Sequence, residues 1–81
     1  MAVACPCCGF LTLSRRSRYV ICKVCFWEDD GQDDPRADEV WGGSNAGLSL
    51  TAAREHYRTF GATERRMLPF VRPPEPHEVP D

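Results

Sequence analysis

The sequence predicts a small α+β metal-stabilised domain: a zinc-ribbon β-hairpin, one packed helix and an extended proline-rich tail. Three observations predict it. Cys5-Pro6-Cys7-Cys8-Gly9 is answered by Cys22-Lys23-Val24-Cys25; an apolar stripe of helical period opens after Ser49 and stops at Gly61; and four of the seven prolines crowd into residues 68 to 77. At 81 residues the chain has room for one domain, placed at residues 1–72, with residues 73–81 as an extended or disordered tail. So short a chain buries too small a fraction of its surface to be comfortably stable without a staple.

The cysteines supply that staple. A C-x-x-C turn folds two sulfurs back toward one point, and two such turns close a tetrahedron of soft ligands suited to zinc. The spacing gives Cys5, Cys8, Cys22 and Cys25 as the metal ligands. Pro6 pre-sets the first turn and Gly9 accepts a positive φ after it, whereas the second turn lacks both signals. Cys7 sits inside the first turn, where a shuffled ligand assignment is the alternative, and His56 is a further residue able to replace a cysteine. Structural zinc contributes roughly 10 to 16 kcal/mol in finger peptides, so the metal-free chain is expected to be largely unfolded.

Thirteen residues, Gly9 to Ile21, separate the thiol pairs, enough for a short hairpin. Leu11 and Leu13, then Tyr19 and Ile21, alternate with less apolar positions about the polar stretch Ser14-Arg15-Arg16-Ser17. A ribbon with its tip at residues 14–18 is the expectation.

The motif C-P-C-C-G-F-x-T-L, followed by Y-x-I-C-x-V-C-F-W-E-D-D-G, resembles the small bacterial cysteine-rich CPCC proteins. The resemblance continues through Gly42-Gly43-Ser44-Asn45, Ser49-Leu50, Ala53-Arg54, Tyr57 and Phe60-Gly61, so it covers most of residues 5 to 72. It implies a small zinc-ribbon-like protein and says little about activity.

After Cys25, Phe26 and Trp27 are expected to build core, since large aromatics bury the most surface per residue. Glu28, Asp29, Asp30, Asp33 and Asp34 then crowd around Gly31 and stop at Pro35, which reads as an exposed acidic loop. An EF-hand is excluded because Phe26 falls where its first carboxylate belongs. The glycine-rich stretch Trp41–Gly47 has no P-loop pattern and reads as a turn returning the chain to the core. Ser49 is an N-cap for a helix over 50–60 with Gly61 after it; Leu50, Ala53, Tyr57 and Phe60 form the stripe that covers the ribbon. His56 lies beside the stripe. The prolines from Pro69 to Pro76 argue against helix there and for an extended, unpacked end beyond Arg72, with His77 exposed.

The net charge of −2 is unevenly spread: residues 1 to 27 carry four bases and no acid, and residues 28 to 39 carry seven acids against Arg36 alone. Such polarity favours choosing a partner by charge over coating nucleic acid. An odd number of cysteines with no signal-peptide pattern in Met1-Ala2-Val3-Ala4 argues for a reducing compartment, so a cytoplasmic location is the expectation, and no apolar run reaches the ~20 residues of a membrane span. Function is therefore expected to be non-enzymatic. The zinc module would bind a macromolecule, foremost a protein with a basic surface, through Glu28, Asp29, Asp30, Asp33 and Asp34. Nucleic-acid binding through Arg15, Arg16 and Arg18, and a thiol redox or zinc-responsive switch at Cys7, are the alternatives.

Overall fold

The computed structural model describes residues 2–81, so Met1, the first residue of the expected domain, lies outside the described residues. β1 (Val3–Ala4) pairs antiparallel with β2 (Leu11–Leu13), with Val3 opposite Leu13 and Ala4 opposite Leu11. The turn of this hairpin is the first thiol pair itself: Cys5 N–H donates to Phe10 O at 2.9 Å and Gly9 N–H to Cys5 O at 2.8 Å. The second pair repeats the pattern, with Cys22 N–H on Trp27 O at 2.9 Å, Phe26 N–H on Cys22 O at 2.8 Å, and Ile21 bridged to Glu28.

This corrects the expected hairpin. Leu11–Leu13 is a strand, but its partner is Val3–Ala4 rather than the stretch around Tyr19 and Ile21, so each C-x-x-C is the tip of its own small hairpin. The reason lies in residues 14 to 20. Ser17 and Tyr19 have φ of 61° and 60°, in the left-handed region that an extended strand cannot use. Tyr19 N–H and Val20 O pair instead with the backbone of Asp29, so the polar segment turns toward the acidic loop.

The helix α1 spans Leu50–Phe60, as the sequence predicts. Ser49 Oγ accepts the Ala52 N–H at 3.0 Å, and Gly61, at φ 95°, returns its N–H to Tyr57 O. Leu50 and Ala53 are buried and Tyr57 packs half-buried against the core, but Phe60 turns away: its ring stacks on His56 and carries the Arg65 guanidinium 4.5 Å above it. The core itself is Leu13, Val24, Trp27, Leu50 and Ala53, closed by buried cysteines. Phe26 sits at φ 74°, the position in the second turn that Gly9 fills in the first at φ 82°, and its ring centroid lies 5.8 Å from that of Phe70.

The tail also departs from expectation. Arg65–Phe70 forms a 3₁₀ helix that includes Pro69, and Pro76–Glu78 forms a second 3₁₀ turn. Proline excludes an α-helix interior, yet its fixed φ lies within the 3₁₀ range and a short turn needs few N–H donors. Past Arg72 the chain is tethered at Glu78, although most of its residues there are exposed. Arg72 N–H donates to Lys23 O, its guanidinium holds both oxygens of the buried Glu78 at 2.8 and 2.9 Å, and the Pro76–Glu78 turn lies against β2. The radius of gyration, 11.4 Å, is close to the roughly 12 Å of a compact chain of this length.

The Arg72 guanidinium, followed by the Glu75 N–H, holds the Glu78 carboxyl down at about 2 against an ordinary 4.5. A carboxylate depressed by folding stabilises above its unfolded value and loses that contribution as pH falls through the folded one. Tail docking is therefore expected to persist at neutral pH and to weaken as pH falls from about 4.5 toward 2. Amide exchange at Val79 and a carboxyl titration of Glu78 by NMR would read this; a Glu78 that titrates at its ordinary value would refute it.

Candidate metal centre

The two hairpin tips face each other and bring Cys5, Cys8, Cys22 and Cys25 together, their sulfurs all within 4.8 Å of one another. Cys5 and Cys25 sulfurs are 3.6 Å apart and those of Cys8 and Cys22 3.7 Å apart. A tetrahedral site with metal–sulfur bonds of ~2.3 Å has edges of ~3.8 Å, so these two pairs already lie at coordination spacing and the whole set is close to it. The donor set fits a thiophilic metal.

Neighbouring elements clasp the tips through their carbonyls. Arg54 of α1 donates from Nε to Pro6 O at 2.8 Å, holding the first tip across a separation of 48 residues. Thr63 N–H donates to Cys25 O at 2.9 Å and Arg72 N–H to Lys23 O at 3.2 Å, holding the second. Donors also reach the sulfurs: Val24 N–H to Cys22 and Trp27 N–H to Cys25, each at 3.4 Å, and the Thr12 hydroxyl lies 2.9 Å from Cys22 Sγ. Second-sphere donors of this kind orient thiolates and spread their charge.

Among themselves the four thiols are electrostatically unequal. The neighbouring thiols, Cys25 foremost and then Cys5 and Cys8, hold the Cys22 thiol below the ordinary range. Cys5, Cys8 and Cys25 are pushed up, foremost by Cys22. Tyr57, at the cluster's edge, is pushed up to about 12, chiefly by burial and then by Cys8. Packing four thiols this closely favours a cation that replaces their protons.

The other candidate ligands lie elsewhere. Cys7 is buried in the core outside the cluster, and His56 Nδ1 is 2.7 Å from Thr63 O. Glu75, His77 and Glu78 also approach one another, but Glu78 has both oxygens committed to Arg72.

The acidic loop is internal at its centre and exposed at Asp33 and Asp34. Asp29 is wholly buried: its Oδ2 accepts Arg16 Nε and Ser17 N–H, both at 2.7 Å, and its Oδ1 accepts Gly31 N–H at 3.2 Å. The expectation of a uniformly solvated acidic face therefore fails at its centre. Asp30 accepts the Gln32 N–H, Asp33 pairs with Arg16 and caps the 3₁₀ turn Asp34–Arg36, and Asp34 pairs with Arg54. Glu28 is half-buried, its backbone held by Ile21 on one side and by the Asn45 side-chain amide on the other. Sequence reading gave no role to Asn45, met only within the Gly42-Gly43-Ser44-Asn45 resemblance, or to Gln32; both are buried, and Gln32 Nε2 donates to Arg36 O and Glu39 O.

Fold and site together define a small four-cysteine α+β domain whose hairpin tips present thiols at metal-binding spacing. Residues 3–78 match the family model of cysteine-rich CPCC proteins, and the chain belongs to that family. The match extends through the packed Glu78 and so includes most of the tail. No curated protein and no solved structure matches the chain. Among the described residues no helix is long and apolar enough to cross a membrane.

Proposed function

We propose that this protein is a non-enzymatic zinc module that binds a macromolecular partner. The observation that carries the metal reading is a cluster of four sulfurs all within 4.8 Å of one another, two of its pairs at 3.6 and 3.7 Å. Zinc suits four thiolates in a tetrahedron, and a filled set of four leaves no position for a water or substrate, which supports a structural rather than catalytic ion. Five free cysteines suit a reducing, cytoplasmic setting.

One zinc per chain is expected on metal analysis, absent the visible absorption of iron. Cys22→Ser should abolish it, while Cys7→Ser should retain it. The reverse pattern would overturn the ligand assignment.

For the partner, a protein with a basic surface is favoured. Asp33 and Asp34 have side chains 54% and 80% exposed, so they present charge outward even while paired. Charge of this kind speeds encounter more than it deepens affinity. Capture of a partner that Asp33→Asn with Asp34→Asn slows at low salt would support this surface; unchanged association would remove it. Nucleic-acid binding loses support because Arg16 is committed to Asp29 and Asp33, which leaves Arg15 and Arg18 at the segment meant to contact phosphate.

A further inference from the structure

The four sulfurs differ in what protects them. Cys22 is fully buried and has two donors from outside the cluster, the Thr12 hydroxyl at 2.9 Å and the Val24 N–H at 3.4 Å. In a metal-bound thiolate the sulfur has no proton, so the Thr12 hydroxyl, whose other acceptor is Phe10 O at 3.4 Å, gives its one proton to the nearer Cys22 sulfur. Cys25 is fully buried and has the Trp27 N–H. Cys5 is 1% exposed. Cys8 is the exception: it is only half-buried, and among the described residues no N–H or O–H from outside the cluster donates to its sulfur.

We propose that Cys8 is a modification site, the metal-bound thiolate that a soft electrophile reaches first, and that its modification releases the metal. The inference rests on the zinc reading above. A hydrogen bond to a thiolate draws charge from the sulfur and stabilises it more than the neutral product of its reaction, so Cys22 and Cys25 are quenched and Cys8 is not. Reactivity then follows thiolate character and access together. With an alkyl halide, a lone pair on Cys8 Sγ forms the new C–S bond, the carbon–halogen bond breaks, and the halide leaves with the bonding electrons. No proton or oxidant is required. The resulting thioether is neutral, and a site reduced to three thiolates holds zinc less tightly.

The test uses the zinc-loaded full chain and limiting iodoacetamide, with fragment mass spectra locating the first adduct and a chromophoric chelator following zinc release. The first adduct is expected on Cys8, in step with zinc release, and Cys7→Ser should change neither. Thr12→Val should raise labelling at Cys22 by about tenfold, and Thr12→Ser should restore protection. A first adduct on Cys5, Cys7, Cys22 or Cys25 overturns the proposal, and unchanged Cys22 labelling in Thr12→Val leaves burial as the protection of Cys22 and overturns the part assigned to hydrogen bonding. Zinc content, measured first, separates the two readings. A chain that takes up no zinc refutes both, whereas one zinc per chain with the first adduct elsewhere refutes the Cys8 assignment alone.

Discussion

Chelating the metal is expected to unfold the domain, abolishing most of the helical circular dichroism, and returning zinc is expected to restore it. Among the described residues, three of the eleven buried apolar residues are the ligand cysteines Cys5, Cys22 and Cys25, and Cys7 packs in the core with them, so the core is built in good part around the site itself. What remains is Leu13, Val24, Trp27, Leu50 and a few alanines. The helix has eleven residues, too few to persist alone in water, and hairpins with strands of two and three residues are marginal without support. Structural zinc contributes roughly 10 to 16 kcal/mol, comparable with the ~5 to 15 kcal/mol net stability of whole domains, so its loss exceeds what the rest of the fold holds in reserve. A metal-free protein that kept its helix and melted cooperatively would refute this.

What the sequence revealed was local, and what it hid was distant. Thiol pairs at i and i+3 and a helix bounded by Ser49 and Gly61 are written within one or two turns of chain, and the structure places both there. Strand pairing is different. The alternation of Leu11, Leu13, Tyr19 and Ile21 suits a hairpin across Ser14–Arg18 as well as two hairpins tipped by the cysteines, and the choice falls to contacts no local pattern contains. Arg16 and Ser17 reach Asp29, and Arg54 reaches Pro6, over separations of 12 to 48 residues. Phe26 was hidden in another way, because it takes at φ 74° a conformation that glycine would have announced. Proline density misled in the tail because it excludes the α-helix without excluding the 3₁₀ turn.

Replacing Asp29 is expected to cost about as much as any single change outside the cysteines, roughly 3 kcal/mol for Asp29→Ala in the zinc-loaded protein. The side chain is wholly buried beside an Arg16 that is 31% exposed, so part of the guanidinium's charge stays hydrated and the loss falls short of a fully buried pair. The remainder comes from two backbone donors, Ser17 N–H and Gly31 N–H, left without partners. Asparagine should rescue little. Both carboxylate oxygens accept, Oδ2 from Arg16 Nε and Ser17 N–H and Oδ1 from Gly31 N–H, so the amide nitrogen of Asp29→Asn would confront a donor whichever way it turned. Because this carboxylate fixes the polar segment that follows β2, its loss should also loosen the left-handed turn at Ser17 and Tyr19 and the spacing between the two hairpin tips. Asp33→Asn provides the contrast, since its side chain is 54% exposed and a pair of that kind contributes about 0 to 1 kcal/mol. Urea melts of the two variants decide the matter: a large drop in midpoint for Asp29→Asn beside a small one for Asp33→Asn makes the centre of the acidic loop a structural element. Equal and small drops would return Asp29 to the surface, and to the partner.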